Sequence, residues 1–110
     1  MALIPGEFDN SNAWNAEETI TVTEGSFKVQ KTKDGTIARV RFTLGNITTT
    51  AKSFSTVITS GYRPNGSSLG FIGIDDAGNI RQGYMTTDGT VVIKTGQSTG
   101  FYGQILFRPN

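Results

Sequence analysis

The chain contains neither Cys nor His. Disulfides, thiolate nucleophiles and Cys-ligated zinc or iron–sulfur sites are therefore out of reach, and so is Ser–His–Asp catalysis. The commonest general base and transition-metal ligand is also missing. Acid–base work would have to rest on carboxylates, and the candidates are Glu17-Glu18, Glu24, Asp34, Asp75-Asp76 and Asp88. A glycosidase needs two carboxylates facing each other across a cleft, roughly 5–10 Å apart. Neighbours on a strand point to opposite faces, so neither adjacent pair supplies that arrangement by itself. Asp34, Asp76 and Asp88 sit in Asp-Gly or Asx-type turn sequences that already account for them. Asp75 to Asn79 lacks the alternating acidic spacing and distal Glu of a calcium loop. The glycines of Gly70 to Gly73 and Gly96 to Gly100 are not followed by the Lys-Ser/Thr of a phosphate loop. The expectation is a non-enzymatic chain with no catalytic residue, no metal and no cofactor.

Binding chemistry is better represented. Tyr62-Arg63, Arg81-Gln82, Tyr84 and Tyr102 with Gln104 set aromatic rings beside guanidinium and amide groups. Such sets bind sugars, with a ring face for stacking and polar groups for the hydroxyls. Each tyrosine also has a plain reading as a core or subunit contact. Trp14 either docks the start of the chain onto the core or a neighbouring chain, or offers a stacking platform. Ten basic and nine acidic residues give a net charge of +1, without runs of either sign. A basic stripe for nucleic acid is not visible. No apolar stretch approaches the roughly 20 residues of a membrane-spanning helix, and the first residues do not form a secretion signal.

These groups must be positioned by strands. The chain has 110 residues, a single-domain length, with 14 Gly, 35% hydrophobic and only 17% charged residues. Seven Phe, three Tyr and one Trp along the chain argue against disorder. Residues 1–16 read as a leader or linker, within which Gly6-Glu7-Phe8 has the form of a cloning remnant, and residues 17–110 as the domain. From Glu18 onward the pattern has period 2. Strands are expected over Thr19–Thr23 and around Phe27–Gln30. The longest has Ala38, Val40, Phe42 and Leu44 on its inner face, near Ile20, Val22, Ile105 and Phe107. Further strands are expected over Ser53–Thr59, Leu69–Asp75, Ile80–Thr86, Thr90–Lys94 and Phe101–Phe107. Asp34-Gly35 and Asp88-Gly89 predict tight hairpins, the first as a type I′ turn. Asn46–Lys52 reads as a Thr-rich loop and Ser60–Gly66 as the longest irregular segment. The fold class is all-β, a small antiparallel barrel or sandwich of seven to eight short strands without significant helix.

The order of these features carries a resemblance through short motifs. After Val22-Thr23 come Phe27-Lys28-Val29-Gln30-Lys31-Thr32-Lys33-Asp34-Gly35 and Ala38-Arg39-Val40-Arg41-Phe42. Then follow Gly61-Tyr62-Arg63-Pro64, Ile74-Asp75-Asp76-Ala77-Gly78-Asn79-Ile80 and a strand at the C-terminal residues. From about Ala16 to Phe107 this resembles the C-terminal head domain of receptor-binding proteins in the tails of phages infecting lactococci and related Gram-positive bacteria. That family carries a Tyr/Phe-Arg-Pro element ahead of two strands joined by an Ile-Asn/Asp-x-x-Gly-x-Ile turn. The resemblance implies a homotrimeric head at the tail tip or baseplate of a virion, assembled in the host cytoplasm. Its partners would be a host cell-wall saccharide, bound without cleavage, and other tail proteins. The family's own sugar-binding positions fall here on different residues: Phe71 and Gly73 stand at its His and Asp, and Arg81, Gln82 and Gly83 where its Trp would be. The saccharide site implied for this chain is Arg63, Phe71, Asp75, Arg81, Gln82, Tyr84 and Tyr102. The alternatives are a structural trimerising tail domain without sugar binding, and a carbohydrate-binding module of a larger enzyme.

Overall fold

The computed structural model describes residues 13–48, 51–95 and 98–110. Among these residues there is no helix. Eight strands form one curled antiparallel sheet, a half-barrel. They are β1 (Glu18–Val22), β2 (Gly25–Lys31), β3 (Ala38–Ile47), β4 (Ala51–Phe54), β5 (Leu69–Ile74), β6 (Ile80–Met85), β7 (Val91–Lys94) and β8 (Thr99–Phe107). Their order across the sheet is β1-β2-β3-β8-β5-β6-β7-β4. The last strand is thus inserted between β3 and β5, and β4 lies at the far edge beside β7. Curling brings β4 across to β2 and the β1–β2 turn: the Phe54 ring meets the Phe27 ring edge-on at 5.2 Å, and Lys52 Nζ lies 3.3 Å from Glu24.

The period-2 pattern explains the curl. On β3, Ala38, Val40, Phe42 and Leu44 all point inward and are buried, while Arg39, Arg41 and Thr43 point out. Phe27 and Val29 of β2, Phe101 and Phe107 of β8, Phe71, Met85, Val91 and Ile93 complete the core. Ile20, Val22 and Ile105 pack against it from partly buried positions. The expected inner face of the longest strand is therefore the observed one.

Five phenylalanines form the centre. Phe42 stacks on Phe71 at 4.6 Å with an interplanar angle of 16°. It meets Phe27 and Phe101 edge-on at 5.8 and 5.9 Å. Such pairs contribute about 0.5–1.5 kcal/mol each beyond the area they bury. Glycine makes room for them. A Cβ on Gly83 would lie 2.6 Å from the Phe71 ring, and one on Gly73 would lie 2.6 Å from the Phe101 ring. Each ring therefore lies against bare backbone of a neighbouring strand.

Three hairpins turn by one device. Gly35, Gly78 and Gly89 donate their N–H to the carbonyls of Thr32, Asp75 and Thr86, three residues back, at 2.9–3.0 Å. All three glycines have φ between 77° and 86°, which L side chains rarely adopt. This is the geometry of a type I turn followed by a left-handed residue. The expected type I′ turn at Asp34-Gly35 is corrected, since only the glycine has positive φ. The Asp34 carboxylate instead accepts bonds from the Thr32 hydroxyl and from the N–H and hydroxyl of Thr36. Asp88 does the same for Thr86 and the Thr90 N–H. The hydroxyl of Thr36 in the first turn, and of Thr86 in the second, holds the carboxyl below its ordinary range.

Other boundaries also move. β3 continues to Ile47 through a bulge after Leu44, where Asn46 has φ 53° and the Gly45 N–H bonds the Glu24 carbonyl. That narrows the expected loop over Asn46–Lys52. The strand expected over Ser53–Thr59 occupies Ala51–Phe54 instead. Thr56 has φ 49°, which ends the extended run, and Ile58 turns inward to donate to the Gly89 carbonyl. At the start of the described chain, Ala13 to Asn15 run beside β2, with Asn15 N donating to the Lys31 carbonyl and Lys33 N to that of Ala13. The Arg39 guanidinium lies over the Trp14 ring at 4.8 Å. Residues 1–12 of the expected leader lie outside the described residues.

Truncating Phe42 to Ala should cost ~3–5 kcal/mol, the range for a buried Phe. Adding one methyl at Gly83 (Gly83→Ala) should cost about 1–3 kcal/mol, because Phe71 and the Val92 carbonyl must both give way. Denaturant midpoints check both, and an unshifted midpoint in either variant contradicts the packing described.

Candidate functional site

The outer face of the curled sheet is a grid set by strand register. Cross-strand pairs join Ile74 to Ile80, Ile72 to Gln82 and Gly70 to Tyr84 between β5 and β6. Gln82 faces Lys94 and Tyr84 faces Val92 across β6 and β7. On the other side Ile74 faces Tyr102 of β8. Continuing that register puts Gly73 against Gly103, where a Cβ on Gly103 would lie 3.2 Å from the Gly73 Cα, and Ile72 beside Gln104. One row therefore reads Lys94, Gln82, Ile72, Gln104, and the next Ile80, Ile74, Tyr102. Same-face neighbours in such rows stand about 5 Å apart.

This face is unusually apolar for an exposed surface. Ile72 is 62% and Ile80 70% exposed, and Ile74, Tyr84 and Leu106 are also exposed. Beside Ile72 lies a hollow of about 430 Å³ lined by Gly70, Phe71, Ile72, Gln82 and Gly83. Gly70 has no side chain to fill it, and Phe71 and Gly83 are directed to the core, so its floor is backbone. A second hollow of about 250 Å³ adjoins it at Gln82, lined also by Ile80, Arg81, Lys94 and Thr95.

The seven sequence-derived site residues divide by location. Gln82 and Tyr84 share this outer face, two residues apart on β6. Arg81 lines the second hollow. Phe71 is buried at 8% exposure, its ring stacked on Phe42, so it acts as core and offers no ring face to a ligand. Tyr102 is half-buried, and its phenol is engaged with the Asp76 carboxylate, whose hydrogen bond, with burial and charge behind it, raises the phenol pKa. Arg63 stands apart: its Nε donates to the Ile58 carbonyl at 2.8 Å, beside Gly89. That is the far end of β6 from Arg81, about 20 Å away at the rise of an extended strand. The Tyr62-Arg63-Pro64 element pairs with the C-terminal residues, through a Pro64–Pro109 bridge and an Asn110 N–H to Arg63 carbonyl bond of 2.9 Å.

Asp75 is the organiser of the β5–β6 turn. It is 4% exposed. Its Oδ1 accepts the N–H groups of Ala77 and Asn79, both at 2.9 Å, and its Oδ2 accepts Arg81 Nε at 2.9 Å and Asn79 Nδ2 at 3.3 Å. Burial works to raise its pKa, but the Asn79 N–H, the Arg81 guanidinium, the Asn79 side chain and the Ala77 N–H together outweigh it and bring the value to about 2. The Asx-type bonding expected of Asp76 thus belongs to Asp75. Asp76 straps the turn to β8 instead, donating its N–H to Thr99 Oγ1 and accepting the Gly100 N–H, each at 3.1 Å.

Ile72 and Lys94 line the hollows but are absent from the sequence-derived set. The observed hairpin register places both beside Gln82, and only the correct turn lengths would have found them. Among the described residues no group of three or more acidic side chains is placed to hold a metal. Comparison with protein-family models, with curated proteins and with solved structures finds no match.

The Asp75 clasp predicts a pH dependence. Its folded pKa lies below the ordinary carboxylate value, so its contribution is complete above about pH 4 and fades as pH falls toward 2. Thermal midpoints measured from about pH 5 to pH 2 should fall for the parent and fall less steeply for Asp75→Asn, which starts lower. Parallel curves for the two proteins contradict the clasp.

Proposed function

We propose that this domain is a non-catalytic attachment module, the saccharide-binding head of a phage tail receptor-binding protein. The observation that carries the reading is the backbone-floored hollow on the outer face of β5 and β6, lined by Ile72 and Gln82, with Tyr84 paired across the strands to its Gly70. A sugar ring has an apolar C–H face and a rim of hydroxyls. A flat bed of glycine backbone bordered by an isoleucine, a tyrosine and an amide matches both parts. The groups sit on paired strands, so little ordering cost accompanies binding. A binding role is also supported by the carboxylates: the oxygens of Asp34, Asp75 and Asp88 are committed to turn bonds rather than aimed across a cleft.

A second reading is favoured by a different observation. Ile74 and Ile80 are directly paired, exposed, and next to Tyr102, with Leu106 on the same face. An apolar row of this kind suits contact between copies, as in the trimerising tail domain without sugar binding.

The test is saccharide binding by calorimetry together with host-cell adhesion, on a parent whose mass in solution is known. Gln82→Ala and Tyr84→Ala should each weaken binding by about three- to tenfold, the loss of one hydrogen bond or one stacked contact. Arg63→Ala should bind like the parent. Equal binding by all three variants removes the site from this face. A parent that forms trimers dissociated by Ile80→Glu, yet binds neither glycans nor cells, makes the trimerising reading the better one.

A further inference from the structure

We infer that Asn65 is a modification site, whose side-chain amide is lost spontaneously through a ring closed by the Gly66 nitrogen; the inference is independent of the attachment reading. An Asx residue followed by Gly forms that ring most readily, because no Cβ shields the attacking nitrogen. The chain has three such pairs, Asp34-Gly35, Asn65-Gly66 and Asp88-Gly89. The fold treats them differently. In the two Asp-Gly turns both reacting groups are engaged. Gly35 and Gly89 give their N–H to the Thr32 and Thr86 carbonyls. The Asp34 carboxylate accepts bonds from Thr32 and Thr36, and that of Asp88 from Thr86 and Thr90.

Asn65-Gly66 is open. Both residues are exposed, Gly66 has φ 89°, and a Cβ built there would meet nothing within 4 Å. Among the described residues neither the Asn65 side chain nor the Gly66 N–H has a hydrogen-bond partner. Asn46 and Asn79 are each followed by Ile, whose branched side chain crowds the nitrogen. The reaction needs only water. Base removes the Gly66 amide proton, the nitrogen bonds to Asn65 Cγ, and the Cγ–Nδ2 bond breaks to release ammonia. Water then opens the cyclic imide and returns a proton to the nitrogen. Opening at Cγ leaves Asp, and opening at the main-chain carbonyl leaves an isoaspartyl link through the side chain. Either product carries one more negative charge, which takes the net charge from +1 to zero. The Asp product also gains a neighbour. Asn65 N donates to the Arg108 carbonyl at 3.2 Å, next to the Pro64–Pro109 bridge, so residue 65 stands opposite Arg108. Opposite charges in such a cross-strand pair attract, and the loop keeps its hold on the C-terminal residues.

The experiment ages the full chain in mildly alkaline buffer, folded or in urea, and maps its peptides by mass spectrometry with an isoaspartate-specific methyltransferase as probe. Asp34→Asn and Asp88→Asn place the same Asn-Gly chemistry in the two bonded turns. The folded parent should accumulate Asp and isoaspartate at residue 65, and Asn65→Gln should accumulate neither. In the folded variants, residues 34 and 88 should react about tenfold more slowly than Asn65, the barrier that one retained hydrogen bond adds. In urea the three sites should react alike. Asn65→Asp should keep the parental thermal midpoint and elute with the aged parent from an ion exchanger. An Asn65 that survives in the folded chain and is lost only in urea overturns the inference. Equal rates at residues 34, 65 and 88 in the folded chain overturn the selection of this site by the fold, and Asp without isoaspartate overturns the ring.

Discussion

The stack of Phe42 on Phe71 is the contact on which the rest of this domain depends. Phe42 belongs to β3, in the half of the sheet made by β1, β2 and β3. Phe71 belongs to β5, in the half made by β5, β6 and β7. β8 joins the halves by hydrogen bonds along one line, and a sheet joined only there would be free to flatten. Closing the two rings to 4.6 Å pulls the inner faces together and sets the curl. Phe27 and Phe101 brace Phe42 from β2 and β8, and Phe54 extends the cluster to the opposite edge strand.

That inward packing shapes the outer face. Phe71 can lie flat against β6 only because Gly83 has no side chain, so the same glycine that seats the core also leaves bare backbone beneath the outer hollow. Gly70, on the outward-facing parity of β5, leaves the space above it open. The hollow is therefore a by-product of how the core is filled. At the end of β5 the charge of Asp75 ties the turn and Arg81 into one unit, while Asp76 ties that unit to β8. The groups of this face thus stand on paired strands and a bonded turn, and ligand contact there, as proposed, would need no induced ordering of loops.

The sequence was most legible where the period-2 pattern was uninterrupted. Ala38, Val40, Phe42 and Leu44 could be assigned to the core because alternation over seven residues has one solution once a face is apolar. It was least legible where a single positive-φ residue changes the path. Nothing in Ser53–Thr59 marks Thr56 as left-handed, so a strand that ends at Phe54 looks longer. The Asp-Gly pairs announced turns but not their length. A two-residue turn centred on Asp88-Gly89 would set Thr87 opposite Thr90 and bring residue 95 beside Gln82. The observed loop pairs the backbone of Thr86 with Thr90 and brings Lys94 there. Tyr102 stood out as a binding group by residue type, and Arg63 by residue type and by the Tyr62-Arg63-Pro64 element. The Arg63 Nε donates to Ile58 and the Tyr102 phenol is engaged with Asp76, contacts made across 5 and 26 positions of sequence respectively, which composition does not reveal.

The proposed attachment role places ligand contact on the outer face of β5, β6 and β7. Backbone amide shifts of the full chain, followed by NMR during titration with a bound glycan, test it most directly. Shifts should concentrate at Gly70 to Ile72, Arg81 to Tyr84 and Lys94. They should be small at Tyr62 to Asn65 and at the Thr32–Thr36 turn. Perturbations centred on the Tyr62-Arg63-Pro64 segment, with the β6 amides unmoved, would contradict it.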